Sequence, residues 1–145
     1  MTQEGGLRPG LVPIGIDTLL EPAGIAVVGA SSDPGRIGGQ PVHCLSTYGF
    51  PGRVYPVNPG HSQIMGLRCY PTIAAIDGPC DVALIAIPAA GVEEAVRQCG
   101  AKGIRYAVVL SSGFGEAGDD GRRMQESLVR TARESGVRIV GPNCQ

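Results

Sequence analysis

Two stretches of this chain are apolar at every position. Ile25-Ala26-Val27-Val28 lies between Gly24 and Gly29, and Val82-Ala83-Leu84-Ile85-Ala86-Ile87 runs from Asp81 to Pro88. A strand with one wet face alternates apolar and polar residues, so uninterrupted runs predict strands covered on both faces, the habit of parallel sheets. Further strands are predicted over 53–59, 105–110 and 137–140. Pro56 inside the first of these suits a short strand or one at the sheet margin. Between the strands the period becomes helical. Residues 39–48 place Pro41 in a first turn, Val42 and Leu45 on one face, and Gly49 just past the end. Residues 91–99 place Val92, Ala95, Val96 and Cys99 at i, i+3, i+4 and i+7, with Gly100 positioned to end the helix. Residues 119–135 carry acids in the first turn, a stripe of Met124, Leu128 and Ala132, and Gly136 beyond. Shorter signals predict a helical turn at 16–20 before Pro22, a short strand at 67–70, and one or two helical turns at 72–76.

Strands alternating with helices in this way predict an α/β fold, a Rossmann-like parallel sheet of about five strands with helices on both faces and right-handed crossovers. The domain is expected over 19–145, preceded by an arm at 1–18 that holds glycines and prolines without periodicity. Ligands of such sheets sit beyond the carboxyl ends of the strands. The segments gathered there are 29–32, 57–61, 85–89, 110–115 and 141–144, all rich in Gly, Ser, Pro and Asn.

Composition narrows the function. The chain has 145 residues, a net charge of −1 and 17% charged residues, without the basic bias of a nucleic-acid surface. The five cysteines are odd in number and show no Cys-x-x-Cys spacing. A disulfide framework or zinc site is therefore not expected, and a cytoplasmic setting is the simpler one. With only two histidines, no metal site is expected either. No leader pattern and no apolar run of about 18 residues is present, so no membrane segment is expected.

The loop after the first strand reads Gly29-x-Ser31-x-x-x-Gly35-x-x-Gly38, longer than the dinucleotide fingerprint G-x-G-x-x-G. A site for NAD also ends its second strand in an acid that holds the ribose hydroxyls. Here that position is Asn58, followed by Pro59-Gly60-His61. A carboxylate there would repel a ribose phosphate by on the order of 1 kcal/mol even in wet surroundings; a neutral end admits it. His61, Arg36 and Arg53 are candidate cationic neighbours. The residues therefore favour a ligand with a pyrophosphate and a ribose phosphate, NADP or coenzyme A.

Four motifs then add a resemblance. Ile25-Ala26-Val27-Val28-Gly29-Ala30-Ser31, Val54-Tyr55-Pro56-Val57-Asn58-Pro59, Ser111-Ser112-Gly113-Phe114-Gly115-Glu116 and Gly141-Pro142-Asn143-Cys144 together resemble the CoA-binding domain of NDP-forming acyl-CoA synthetases. That family includes ADP-forming acetate–CoA ligase and, more distantly, the succinyl-CoA synthetase alpha subunit. The resemblance covers residues 19–145. It implies coenzyme A as the ligand, with its phosphates at Gly29, Ala30, Ser31 and Ser32 and further contacts from Asn58 and His61. His61 stands where the succinyl-CoA synthetase pattern has a phosphate-binding lysine. Ile87, Pro88, Ser111, Ser112 and Gly113 would complete the groove. The family's chemistry runs through a phosphohistidine and an ATP-grasp module, with a second flavodoxin-like domain; neither His43 nor His61 stands at the phosphohistidine position. The resemblance thus implies one part of an acid–thiol ligase, with the other domains or a subunit as partners and no catalytic residue in this segment.

Plainer roles fit several of these residues. Ser31 suits a helix N-cap as well as a phosphate. Asn58 before proline is also an ordinary turn residue, and His61 also suits a solvated loop. Ser111 and Ser112 lack the G-x-S-x-G frame of a hydrolase. The rival to the ligase reading is a free-standing CoA- or NAD(P)-binding regulatory module without catalysis. An NADP-dependent reductase would need a substrate domain with a proton donor, which this sequence does not display.

Overall fold

The computed structural model describes residues 15–144; residues 1–14 of the expected arm lie outside them. A single helical turn, α1 (Asp17–Leu20), leads into β1 (Gly24–Val28). Then follow α2 (Gln40–Thr47), β2 (Arg53–Val57), a small hairpin of β3 (Gln63–Ile64) and β4 (Leu67–Arg68), and a 3-10 turn (Ile73–Ala75). The chain continues through β5 (Val82–Ile85), α3 (Ala89–Lys102), β6 (Tyr106–Val109), a 3-10 turn (Gly115–Ala117), α4 (Asp119–Ser135) and β7 (Arg138–Val140).

Five strands form one parallel sheet in the order β2-β1-β5-β6-β7. The register sets Val28 beside both Val57 and Ile85, and Ile85 beside Val109. Every residue of β1 is buried, as its unbroken apolar run predicts. Helices cover both faces. Ala26, Val28, Ala83 and Ile85 pack with Val92, Val96 and Cys99 of α3 and Leu128 of α4 on one face. Val27 packs with Val42 of α2 and Ile64 and Cys69 of the hairpin on the other. β2 is an edge strand, where a proline costs least; the Pro56 carbonyl accepts the Tyr70 N–H at 2.9 Å.

The structure corrects several boundaries. α3 begins at Ala89 and runs through Gly100 to Lys102, ending at Gly103 with φ +83° in the left-handed C-cap conformation. Gly100 is instead a contact point, because a Cβ there would lie 2.6 Å from the Ser135 carbonyl oxygen at the end of α4. Two strands are shorter than predicted: β2 stops at Val57, and β5 stops at Ile85 although its apolar run continues to Ile87. The residues just beyond have left the ladder to form the loops at the carboxyl edge. Strand β3 has no apolar run to announce it; its turn at Met65 and Gly66, both at positive φ, is its one signal.

Candidate functional site

Strands β1 and β5 are neighbours, and the chain leaves them toward opposite faces, to α2 and to α3. A crevice opens at such a switch point. Gly29 closes its floor at φ +81°, and a Cβ there would meet the Ala86 carbonyl oxygen at 2.3 Å. The N–H groups of Gly29 and Ala30 both donate to the Val57 carbonyl, at 3.0 and 3.3 Å. The Asn58 amide donates to the Ala30 carbonyl at 2.9 Å. The ends of β1 and β2 are thereby tied together beside the crevice.

The loop from Ser31 to Gly39 is held by its own polar groups. The Ser31 N–H donates to the Gly38 carbonyl at 3.3 Å. Its Oγ accepts the Asp33 N–H at 3.1 Å, and Asp33 Oδ1 accepts the Gly35 N–H at 2.9 Å. A Cβ on Gly38 would lie 1.9 Å from the Gly29 oxygen, and one on Gly39 1.8 Å from the Asp33 oxygen. Among the described residues, the N–H groups of Ile37 and Gly38 donate to no acceptor.

Two cavities meet here. A cavity of about 510 Å³ is walled by the loop, including Ser31, Arg36, Ile37 and Gly38, together with Asn58 and His61. A second, of about 330 Å³, lies between the end of β2, the 3-10 turn and α3. Its walls are chiefly apolar (Val57, Pro59, Ile73, Ile87 and Ala95), with Thr72, Glu94 and Gln98 at polar positions. Gly29 and Asn58 line both. The first offers N–H donors and cationic side chains, the chemistry that holds phosphate. The second offers apolar walls with a few polar groups, a lining suited to an aromatic ring.

Of the residues singled out from sequence, Gly29, Ala30, Ser31, Asn58 and His61 come together around the first cavity, and Ile87 stands in the second. Ser32, Pro88, Ser111, Ser112 and Gly113 line neither. Ser111 is buried and its hydroxyl donates to the Ile87 carbonyl, fixing the loop after β5. The Gly113 and Phe114 N–H groups donate to the Glu116 carboxylate, and the bond from Gly113 leads in holding that carboxyl below the usual glutamate range. Thr72, Glu94 and Gln98 were not singled out from the sequence. Their one signal is that Glu94 and Gln98 lie one turn apart on the helix that follows β5. Of the expected loop donors, Gly29, Ala30 and Ser31 use their N–H groups within the protein; among the described residues, those left over in the loop belong to Ser32, Ile37 and Gly38.

A family model for the CoA binding domain matches residues 23–145. The chain belongs to the CoA-binding domain family. It is 40% identical over 129 residues to the alpha subunit of acetate–CoA ligase (ADP-forming) II from Pyrococcus furiosus, covering 89% of this chain and 28% of that subunit. It is 43% identical over 125 residues to acetate–CoA ligase (ADP-forming) II from Archaeoglobus fulgidus, covering 86% of this chain and 19% of that protein. The dinucleotide-forming acetyl-coenzyme A synthetase 1 of Ca. Korarchaeum cryptofilum, solved with phosphate and ADP, superposes with a TM-score of 0.84 at 44% identity. It covers 89% of this chain and 27% of that one. This CoA-binding domain thus spans under a third of the length of these relatives. Among its described residues no helix is long and apolar enough to cross a membrane.

Proposed function

We propose that this CoA-binding domain holds coenzyme A for thioester formation within an NDP-forming acyl-CoA synthetase, an acid–thiol ligase. The observation that carries the reading is the pair of cavities meeting at Gly29 and Asn58. The polar one suits a pyrophosphate, received by the Ile37 and Gly38 N–H groups. The apolar one suits the adenine ring, with Thr72 and the bonded pair Glu94 and Gln98 at its polar positions. Asn58, neutral where an NAD site carries an acid, leaves room for the ribose 3′-phosphate near His61. The pantetheine arm would leave past Ile87 and Pro88 toward the loop of Ser111, Ser112 and Gly113.

The domain's contribution is binding and orientation, bringing the thiol to an acyl phosphate made elsewhere in the ligase. The partners are a second flavodoxin-like domain and an ATP-grasp module. Their presence accords with the relatives being more than three times as long as the matched segment. Calorimetric titration with CoA, dephospho-CoA and NAD tests the reading. CoA is expected to bind more tightly than dephospho-CoA, and NAD least. Preference for NAD would overturn it.

A further inference from the structure

Arg36 stands in the wall of the polar cavity, at the outer turn of the loop. Its Nε lies 3.8 Å from Asp33 Oδ2, and both side chains are largely exposed. That separation is an ion pair without a hydrogen bond. Among the described residues the Arg36 guanidinium makes that one ion pair and donates no hydrogen bond; what sets it apart is its place in the cavity wall. The loop that carries Arg36 is not slack, because the close approaches at Gly38 and Gly39 fix its path against Gly29 and Asp33. A guanidinium with its donors unengaged, held at a cavity that also presents the Ile37 and Gly38 N–H groups, is suited to bidentate contact with a phosphate.

We propose that Arg36 is the cation that receives the ligand's phosphate chain, and that Asp33 is a built-in competitor for it. The proposal rests on the CoA reading above. Asp33 does two separable things. Its Oδ1 accepts the Gly35 N–H and shapes the turn; its charge pairs with Arg36. An incoming phosphate must draw the guanidinium away from that carboxylate. The pair is exposed and therefore weak, so the competition tunes affinity without blocking entry. His61 is the other cationic candidate in the same wall.

The experiment is a calorimetric titration of the 145-residue chain with CoA at low and moderate salt, on the unaltered protein and on Arg36→Ala, Arg36→Lys and Asp33→Asn. Both positions are exposed, and Asp33→Asn retains the acceptor for Gly35, so circular dichroism should show all three folded. Arg36→Ala is expected to weaken CoA binding about tenfold to a hundredfold and to flatten its salt dependence. Arg36→Lys should restore part of the loss. Asp33→Asn is expected to tighten binding by up to about fivefold. Unchanged affinity and salt dependence in Arg36→Ala overturn the assignment of Arg36. Weaker binding in Asp33→Asn overturns the competitor role. A chain that binds no CoA in any form overturns the functional reading itself, a result distinct from either.

Discussion

The Asn58 side chain joins two loops that never meet in sequence: its amide donates to the Ala30 carbonyl at 2.9 Å, while its Oδ1 accepts the Gly60 N–H at 2.8 Å. The first bond ties the end of β2 to the loop after β1, and the second shapes the turn that carries His61. Asn58→Ala removes both. We expect a loss of about 1–3 kcal/mol in stability, measured by denaturant unfolding, together with weaker CoA binding. Asn58→Asp retains the acceptor for Gly60 and sets a carboxylate against the Ala30 carbonyl. It should cost more CoA affinity than affinity for dephospho-CoA, as titration of both ligands would show.

Gly100 reverses the usual rule for helices. Replacing a helical glycine by alanine ordinarily stabilises by about 1 kcal/mol. Here the new Cβ would fall 2.6 Å from both the Ser135 carbonyl oxygen and its Cβ, so α3 and α4 must part. Gly100→Ala is expected to lower the melting temperature, and a rise would contradict the packing described.

The fold was legible because it is written in the buried strands. Residues 25–28 and 82–85 are apolar at each position, and in a sheet with helices on both faces no other pattern serves. Helix α4 was equally plain, since its acids, stripe and closing glycine agree. Gly100 misled because a glycine in a helix reads as a stop until the neighbouring helix is seen. The site was half legible. The glycine- and proline-rich segments that follow the strands pointed to the carboxyl edge of the sheet, where the two cavities lie. Which N–H groups remain free depends on pairings between β1 and β2 that no local pattern records, and the bond from the Ser111 hydroxyl to the Ile87 carbonyl likewise joins segments far apart in sequence.

Glu93 links the two large helices of one face. Its carboxylate accepts the Ser127 hydroxyl at 3.0 Å and the Thr131 hydroxyl at 2.8 Å, and it pairs with Arg97. The Thr131 bond, first among these effects, holds the Glu93 carboxyl below the usual value of 4.5. A lowered folded-state value means the contribution is complete above about 4.5 and is lost as pH falls through the lower folded value. Glu93→Gln should therefore cost about 1–2 kcal/mol at pH 7. The gap from the unaltered protein should close in acid below that range, as unfolding across pH 3–7 would reveal.

The thiols divide by burial. Burial raises the Cys99 thiol to about 12 and the Cys80 thiol to about 11, and also raises that of Cys69. Cys44 and Cys144 are part-exposed, as is Cys80, whose thiol is nonetheless held up by desolvation. At pH 8 the thiolate fraction of Cys99 is about one in ten thousand. Iodoacetamide followed by peptide mass spectrometry should label Cys44 and Cys144 first. Early labelling of Cys99 would contradict the packing of α3 on the sheet.

The central claim is that coenzyme A occupies the crevice at the β1–β5 switch point, with phosphate on the loop before α2 and adenine against α3. Amide chemical shifts followed by NMR during CoA titration test it most directly. The account predicts the largest movements at Gly29, Ile37 and Gly38 on the phosphate side and at Thr72 and Gln98 on the base side, with adenosine alone moving only the second group. Shifts confined to α4 and β7, or none at Ile37 and Gly38, would contradict it.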